Sequence, residues 1–305
     1  MPREVGRSRG ATGGACDVDP GGRLCHAAGK RIPTRTTEWT MDPARLSLNQ
    51  ITVNTLGLPE ALDACVRHDV GAIALWRDKI AAVGLDRAVE LVAASGVRVS
   101  SVCRGGMFTT GDPADVLADN RRAVDEAAAL GADALVLVCG PLTDHDLAGA
   151  RARVRDGIAA LLPHALAAGV PLAIEPLHPM MITERSVVVS LRQALDLCDD
   201  LGEGVGVVVD AYHVWWDPDL DAQLARARGR VRGYHVSDWL PRTSDLLLDR
   251  GMVGEGVIDL PRLSAAVAAT GYDGPVEVEV LSSRWWAEDP DEVVRTARKR
   301  FEEFV

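Results

Sequence analysis

Four short apolar runs in the second half of the chain each end at, or close to, a side chain that can bind a metal ion. Their length suits buried strands rather than helices, and long helical patterns separate them. The runs are 170–175, which stops at Glu175; 204–209, followed by Asp210; 231–235, which stops at His235; and 274–280, which carries Glu277 and Glu279. In a closed parallel barrel the carboxyl ends of the strands converge on one face, so the pattern constrains the fold and the site together.

The same alternation of strand and helix continues through the whole chain from residue 46 onward. Both faces of the runs are apolar, as strands covered by helices require, and strict alternation favours a parallel sheet with right-handed crossovers. Eight units predict an α/β protein with a closed (β/α)8 TIM barrel as a single domain. The first strand–helix turn has no Gly-x-Gly-x-x-Gly, which disfavours a dinucleotide fold. The expected strands are 46–49, 71–76, 97–103, 134–139, 170–175, 204–210, 231–235 and 274–280.

Residues 1–40 differ in composition from the rest of the chain. They are rich in Gly, Arg and Thr, show no apolar periodicity and contain no hydrophobic segment of a secretory signal. We expect residues 1–40 to be a disordered extension and residues 41–305 to form the barrel. Met41 stands just before the first expected strand, so the functional protein can start there.

Charge and composition exclude several classes of partner. The formal net charge of −11 disfavours binding to the phosphate backbone of a nucleic acid. The sequence contains no run of about 18 apolar residues, so it predicts no transmembrane helix. Six cysteines without Cys-x-x-Cys spacing are typical of free thiols in a reducing cytoplasm, where we expect the protein to be located.

Glu175, Asp210, His235 and Glu279 form the expected metal site. Three carboxylates and one imidazole suit a divalent ion such as Mn²⁺, with Mg²⁺ or Co²⁺ as alternatives, better than a structural zinc site that prefers sulfur. Glu277 competes with Glu279, because residues two apart on a strand face the same way. Glu279 is preferred since it lies nearer the carboxyl end, whereas Glu277 would lie about 6–7 Å deeper and need a buried partner.

Several short motifs from Leu46 to the C-terminus resemble those of the xylose isomerase-like barrels. Within that superfamily they are similar to ketose 3-epimerases and inosose isomerases. The motifs are Ile174-Glu175-Pro176, Val209-Asp210-x-x-His213, Tyr234-His235-Val236-x-Asp238, Arg250-Gly-x-x-Gly254-x-Gly256-x-Ile258-Asp259 and Gly271-Tyr-x-Gly274-Pro-Val-x-Val-Glu279.

The resemblance implies a mechanism and a set of roles. One divalent ion would hold two adjacent sugar oxygens, and Glu175 and Glu279 would remove and return a proton beside the ketone through an enediolate. His213 and Arg250 would bind substrate hydroxyls or the developing oxyanion. A helix-capping role for His213 and a surface salt bridge for Arg250 are the alternatives.

Aromatic and histidine side chains follow several strand ends and suggest a substrate rim. Trp76 and Trp239 could stack on sugar C–H surfaces, and His178 lies just beyond the first expected ligand. Loop packing or an interface between copies of the chain would explain the tryptophans equally well, so a homo-oligomer is compatible with the sequence.

The expected activity is therefore that of an isomerase or epimerase acting on a small carbohydrate, a free ketose or keto-inositol. No glycine-rich phosphate cradle followed by Lys-Ser/Thr is present, which favours an uncharged substrate. A lyase using the same site, either a keto-sugar dehydratase or a C-glycoside-cleaving subunit, is the alternative. An abasic-site endonuclease, which needs a His-rich three-metal cluster, is disfavoured by seven histidines and the acidic charge.

Overall fold

A computed structural model describes residues 41–305, and these residues contain a closed barrel of eight parallel strands. Each strand pairs with its neighbours in sequence, and β1 closes the barrel on β8 with Leu46 opposite Val276. The expected (β/α)8 architecture is confirmed. The expectations for residues 1–40 lie outside the residues described. The strands are β1 (Leu46–Asn49), β2 (Ala72–Trp76), β3 (Arg98–Gly106), β4 (Leu135–Val138), β5 (Leu172–Ile174), β6 (Val205–Asp210), β7 (Val231–Val236) and β8 (Val276–Val278).

Helices cover the outside of this barrel, and most begin and end at the residues that the sequence signals predict. Aspartate or serine side chains accept hydrogen bonds from first-turn N–H groups, and Gly96 and Gly169 end two helices with positive φ. The helices are α1 (Leu58–Arg67), α2 (Arg77–Val83), α3 (Leu85–Ser95), α4 (Pro113–Ala129), α5 (Leu147–Ala168), α6 (Leu191–Leu201), α7 (Ala211–Val214), α8 (Leu220–Arg226), α9 (Leu260–Ala268) and α10 (Pro290–Phe304).

Two of these helices, α2 and α7, were not expected from the sequence. Both begin directly after a strand and are short, so they carry too few apolar residues for a helical period to show. The α7 turn brings His213 back toward the strand that carries Asp210. Short 3₁₀ turns at Pro43–Arg45, Gln50–Val53, Pro179–Met181 and Trp285–Ala287 fill further loops.

The barrel interior is divided into an apolar and a polar half. Ala134, Val136, Ala173 and Val208 form a small apolar cluster contributed by the β4 to β6 side. Across the barrel the interior is polar, where Ser47 Oγ lies 2.8 Å from Ser100 Oγ and Ser100 donates to Glu277 at 2.8 Å. The polar half lies under the carboxyl end of β8 and supports the side chains of the site.

None of the helices in residues 41–305 combines the length and apolar character that crossing a bilayer demands.

Candidate metal centre

Four buried side chains meet at the carboxyl end of the barrel. Glu175 follows β5, Asp210 ends β6, His235 lies near the end of β7 and Glu279 follows β8. Strand register helps to assemble them, since Asp210 pairs with His235 across β6 and β7. One ligand atom from each lies within 4.8 Å of the others, the spacing expected around a single ion. The structure therefore brings together the four residues predicted to bind a metal.

The atoms facing the centre of this cluster make poor contacts with one another. His235 Nδ1 lies 3.2 Å from Glu175 Oε1 and 3.6 Å from Glu279 Oε2. Within residues 41–305, His235 Nε2 on the far side of the ring has no properly directed hydrogen-bond partner, and on the side of the cluster neither His235 Nδ1 nor Glu175 Oε1 has one, although both are fully buried. Buried polar atoms are rarely left without partners. A cation at the centre would satisfy both, so the donor set fits a divalent metal ion.

Glu277 lies behind His235 and outside the metal cluster. Its Oε2 is 3.1 Å from His235 Nε2, on the far side of the imidazole from the cluster. Asn49 donates to Glu277 Oε2 at 3.0 Å and also to Glu279 Oε1 at 3.2 Å. A carboxylate at the second nitrogen of a histidine ligand is a common way to orient the ring. The structure thus supplies Glu277 with the buried partners that its depth in the barrel requires.

Arg250 lies between two of the cluster carboxylates. Its Nη1 donates to Asp210 Oδ2 and to Glu279 Oε2, both at 3.1 Å, and its side chain is buried. Burial raises the pKa of Asp210 to about 7 even though Arg250 opposes the rise. Burial also favours a higher pKa for Glu279. The positive charges of Arg250 and His235 outweigh burial, however, and hold the pKa of Glu279 below its usual value. Arg250 is therefore an internal countercharge, and the surface salt bridge considered from the sequence is excluded.

The contacts of His213 determine which ring nitrogen carries its proton. The backbone N–H of His178 donates to His213 Nδ1 at 3.0 Å, and burial, reinforced by Arg250, lowers the pKa of His213. A neutral ring accepting at Nδ1 carries its hydrogen on Nε2. Arg250 Nη2 lies 3.0 Å from that Nε2, so two donors face each other. An oxygen atom within hydrogen-bond distance of both nitrogens would accept from both.

An inner cavity adjoins the cluster, and an outer groove lies next to that cavity. The inner cavity of about 20 Å³, with room for about one water-sized species, is lined by cluster residues together with Arg185, His213 and Arg250. The outer groove of about 870 Å³ runs along the loops after β2 and β3. Trp76 and Cys103 line both spaces, and Trp76 Nε1 donates to Asn49 at 2.8 Å. The groove has the size of a small-molecule site.

His178 and Trp239 belong to an aromatic wall and do not line the inner cavity. The His178 ring lies 4.9 Å from Trp239 and 5.5 Å from Trp216, measured between centroids. Trp239 also stacks on Tyr212 at 4.8 Å. Burial lowers the pKa of His178. Among the residues expected to contact substrate, the structure brings Trp76, His213 and Arg250 to the cavity but leaves His178 and Trp239 in the wall beside it.

Sequence reasoning missed several residues around the site. Asn49 ends β1, whereas Ser100 and Cys103 lie within β3 among other polar residues, so no pattern singles them out. Asn49 could have been found from the sequence by one signal, namely that it is a polar residue at the end of a strand. Arg185 lies in an irregular loop after β5, and no periodicity or spacing marks it.

Comparisons with known proteins were made with the whole chain. A family model described as xylose isomerase-like TIM barrel matches residues 62–304. The solved structure of protein SMc04130 from Sinorhizobium meliloti 1021 is 49% identical with a TM-score of 0.84, covering 86% of this chain and 99% of that one. L-ribulose-5-phosphate 3-epimerase UlaE from Salmonella typhi is 28% identical over 220 residues, 69% of this chain and 73% of the relative. The structure of the IolI protein with a bound zinc atom is 20% identical with a TM-score of 0.74, covering 85% of this chain and 99% of that one, and shows the shared fold.

Proposed function

The chain belongs to the xylose isomerase-like TIM barrel family, and from that premise we propose that it is a divalent-metal-dependent isomerase or epimerase of ketoses or keto-inositols. The observation that carries the proposal is the placement of Glu175 and Glu279 in the metal cluster and on the inner cavity at once. The 3-epimerase name of the relatives in Salmonella supports the reaction class. Small carbohydrates are the substrates that a groove of this size and polarity can take.

Glu175, Asp210, His235 and Glu279 would hold the ion, with Mn²⁺ as the expected metal and Mg²⁺ or Co²⁺ as alternatives. When bound, such an ion would act as a Lewis acid that polarises a ketone and makes the neighbouring C–H bond more acidic. Glu277, behind His235, keeps the imidazole oriented so that Nδ1 faces the cluster.

Glu175 and Glu279 are the proposed proton-transfer groups. Glu279 is fixed by Asn49 at one oxygen and by Arg250 at the other, whereas Glu175 Oε1 has no hydrogen-bond partner within the described part of the chain. Two carboxylates that flank one substrate carbon can remove a proton from one face and return it to the other. That arrangement supports epimerisation, and return of the proton to the adjacent carbon would give isomerisation.

His213 and Arg250 are the proposed ligands of the substrate oxygen that gains negative charge. The Nε2–H of His213 and the Nη2 group of Arg250 converge at 3.0 Å from each other on the inner cavity. An oxygen that accepts from both relieves the contact between two donors. Donors already in place for developing charge stabilise the transition state more than the ground state. Trp76, at the junction with the outer groove, would contact the carbon chain of the sugar.

A lyase on the same site is the second candidate. The aromatic wall of His178, Tyr212 and Trp239 lies beside the site, and Trp216 at its edge keeps 37% of its surface exposed. Such a surface could hold an apolar leaving group. After proton removal, loss of that group would replace return of the proton.

The test is proton exchange by the metal-loaded protein. We expect deuterium uptake from D₂O at the carbon next to the ketone when Mn²⁺-loaded protein meets a panel of ketoses, keto-inositols and 3-keto-glycosides, each supplied both uncharged and as its phosphate ester or carboxylic acid. Formation of an epimer or isomer that carries deuterium supports the first candidate. Formation of a product that has lost its aglycone or a water molecule supports the lyase. No exchange on any of these substrates by metal-loaded protein would reject both.

A further inference from the structure

Arg185 lies on the wall of the inner cavity without a partner for its guanidinium group. Its backbone is held firmly, since its N–H donates to Met181 O at 2.8 Å and its carbonyl accepts from Gly140 N at 3.1 Å. The side chain lines the cavity together with Glu175, His213 and Arg250. Burial, followed by the nearby Arg104, lowers the pKa of Arg185. A positive charge is thus fixed beside the cluster at an energetic cost.

Other arginines that are partly or fully shielded from solvent have partners in this chain. Arg250 is bonded to two carboxylates, Arg77 to Asp119 and Glu126, and Arg45 to two backbone carbonyls. Among such arginines in residues 41–305, only Arg104 and Arg185 have a side chain without a hydrogen bond, ion pair or ring contact. Arg104 follows Cys103 and lines the outer groove. The two arginines without side-chain partners therefore line the two neighbouring spaces where substrate would lie, Arg185 the inner cavity and Arg104 the outer groove.

The charges of the cluster are balanced mainly by groups other than Arg104 and Arg185. With a divalent ion bound, its two positive charges and the one on Arg250 offset the three carboxylates of the cluster. Glu277 adds one further negative charge behind His235. Within residues 41–305, neither Arg104 nor Arg185 is in hydrogen-bond or ion-pair contact with any of these carboxylates, so both guanidinium groups remain available to an anion. Guanidinium groups bind carboxylate and phosphate through paired N–H donors.

We propose that the substrate carries an anionic group, a phosphate ester or a carboxylate, away from its reacting carbons, and that Arg185 binds this group with Arg104 beside it. The inference rests on the proposed function for the position of the reacting carbons. It replaces the uncharged substrate expected from the lack of a glycine-rich cradle, because guanidinium groups on two separate loops can bind an anion without such a loop. Arg185 is a specificity residue in this scheme.

Equilibrium binding of unreactive analogues tests the inference separately from turnover. The full-length Mn²⁺-loaded protein is titrated by calorimetry with a pentitol, its terminal phosphate ester and the matching aldonic acid. We expect one or both anionic compounds to bind roughly tenfold or more tightly than the pentitol, as charge-assisted hydrogen bonds predict. The two anionic compounds distinguish a phosphate site from a carboxylate site.

Substitutions then assign the preference to a residue. Arg185→Met should reduce the preference to threefold or less, and Arg185→Lys should retain part of it; a thermal melt verifies that each variant is folded. Arg121→Met is the matched control, because Arg121 is an exposed arginine on α4 whose side chain has no hydrogen-bond or ion-pair partner in residues 41–305, and it should keep the wild-type preference. Equal binding of all three compounds by the wild type would overturn the inference, as would a preference that survives in Arg185→Met. Anion preference without any deuterium exchange would reject the proposed function alone.

Discussion

Glu277 Oε2 lies 3.1 Å from Nε2 of His235, on the side of the ring opposite Nδ1, which faces Glu175 and Glu279. The two glutamates at the end of the barrel are thus separated in depth: Glu279, just after β8, lies in the candidate metal cluster, and Glu277, within β8, lies behind His235. Asn49 donates to both and fixes their spacing. This relationship gives the sharpest test of the site.

Gln substitutions at the two glutamates should have different consequences. Glu279→Gln keeps one coordinating oxygen but removes the base, so turnover should fall by roughly 10²–10⁴-fold while metal stays bound. Glu277→Gln should lower metal affinity by about 10–100-fold and destabilise the fold by about 1–3 kcal/mol, because an amide cannot accept from both Asn49 and Ser100. Turnover at saturating Mn²⁺ and urea unfolding are the measurements. Loss of turnover in a stable Glu277→Gln protein with an active Glu279→Gln protein would reverse the two roles.

Metal content should depend on the cluster. We expect about one divalent ion per chain and loss of most of it in Asp210→Ala or His235→Ala, since each removes a ligand. His164→Ala is the control, because His164 lies on α5 and pairs with Asp125 at the surface. Mn²⁺ at about 100 times its Kd should stabilise the wild type by about 2.7 kcal/mol. Elemental analysis of the dialysed proteins measures the metal content per chain. An unchanged metal content in both ligand variants would refute the site.

Replacing Arg250 should destabilise the metal-free protein more than the Mn²⁺-loaded protein. Arg250→Met leaves the Asp210 and Glu279 carboxylates buried without their countercharge, which costs about 3–5 kcal/mol. A bound divalent ion supplies positive charge at the same place, so Mn²⁺ should recover part of the loss. Arg262→Met, which breaks an exposed pair with Asp221, should cost at most about 1 kcal/mol. Urea unfolding with and without chelator measures both, and an Arg250→Met protein as stable as Arg262→Met without metal would contradict this account.

The loop that carries Arg250 has its own structural requirement at Gly256. A Cβ at Gly256 would clash with the Trp239 carbonyl, while Asp238 holds the loop by accepting from the N–H groups of Trp239 and Ile258. Gly256→Ala should therefore cost about 1–3 kcal/mol. Gly71→Ala, where no atom lies within 4 Å of the added carbon, is the control and should change stability little. Equal melting temperatures of these two variants would show that the loop adjusts freely.

The sequence alone predicted the barrel architecture of residues 41–305 and the four residues that the structure brings together as a candidate metal site. Alternation of apolar runs and amphipathic helices is a local property, and polar residues at strand ends must converge once eight parallel strands close. Helices such as Leu85–Ser95 and Leu147–Ala168 have the bounds that their caps and terminal glycines predict. The resemblance to the xylose isomerase-like barrels added the expected chemistry, which is metal-dependent proton transfer beside a ketone.

Only the tertiary structure decided which side chains meet around that cluster. Asn49 and Ser100 reach Glu277 from β1 and β3, Arg250 reaches Asp210 from a loop 40 residues away, and Arg185 has no partner although it is partly buried. His178 and Trp239, expected to contact substrate, pack against each other instead of lining the cavity. Such contacts depend on barrel register and loop path, which no local pattern encodes, because a side chain's partner across the barrel is unrelated to its spacing along the chain.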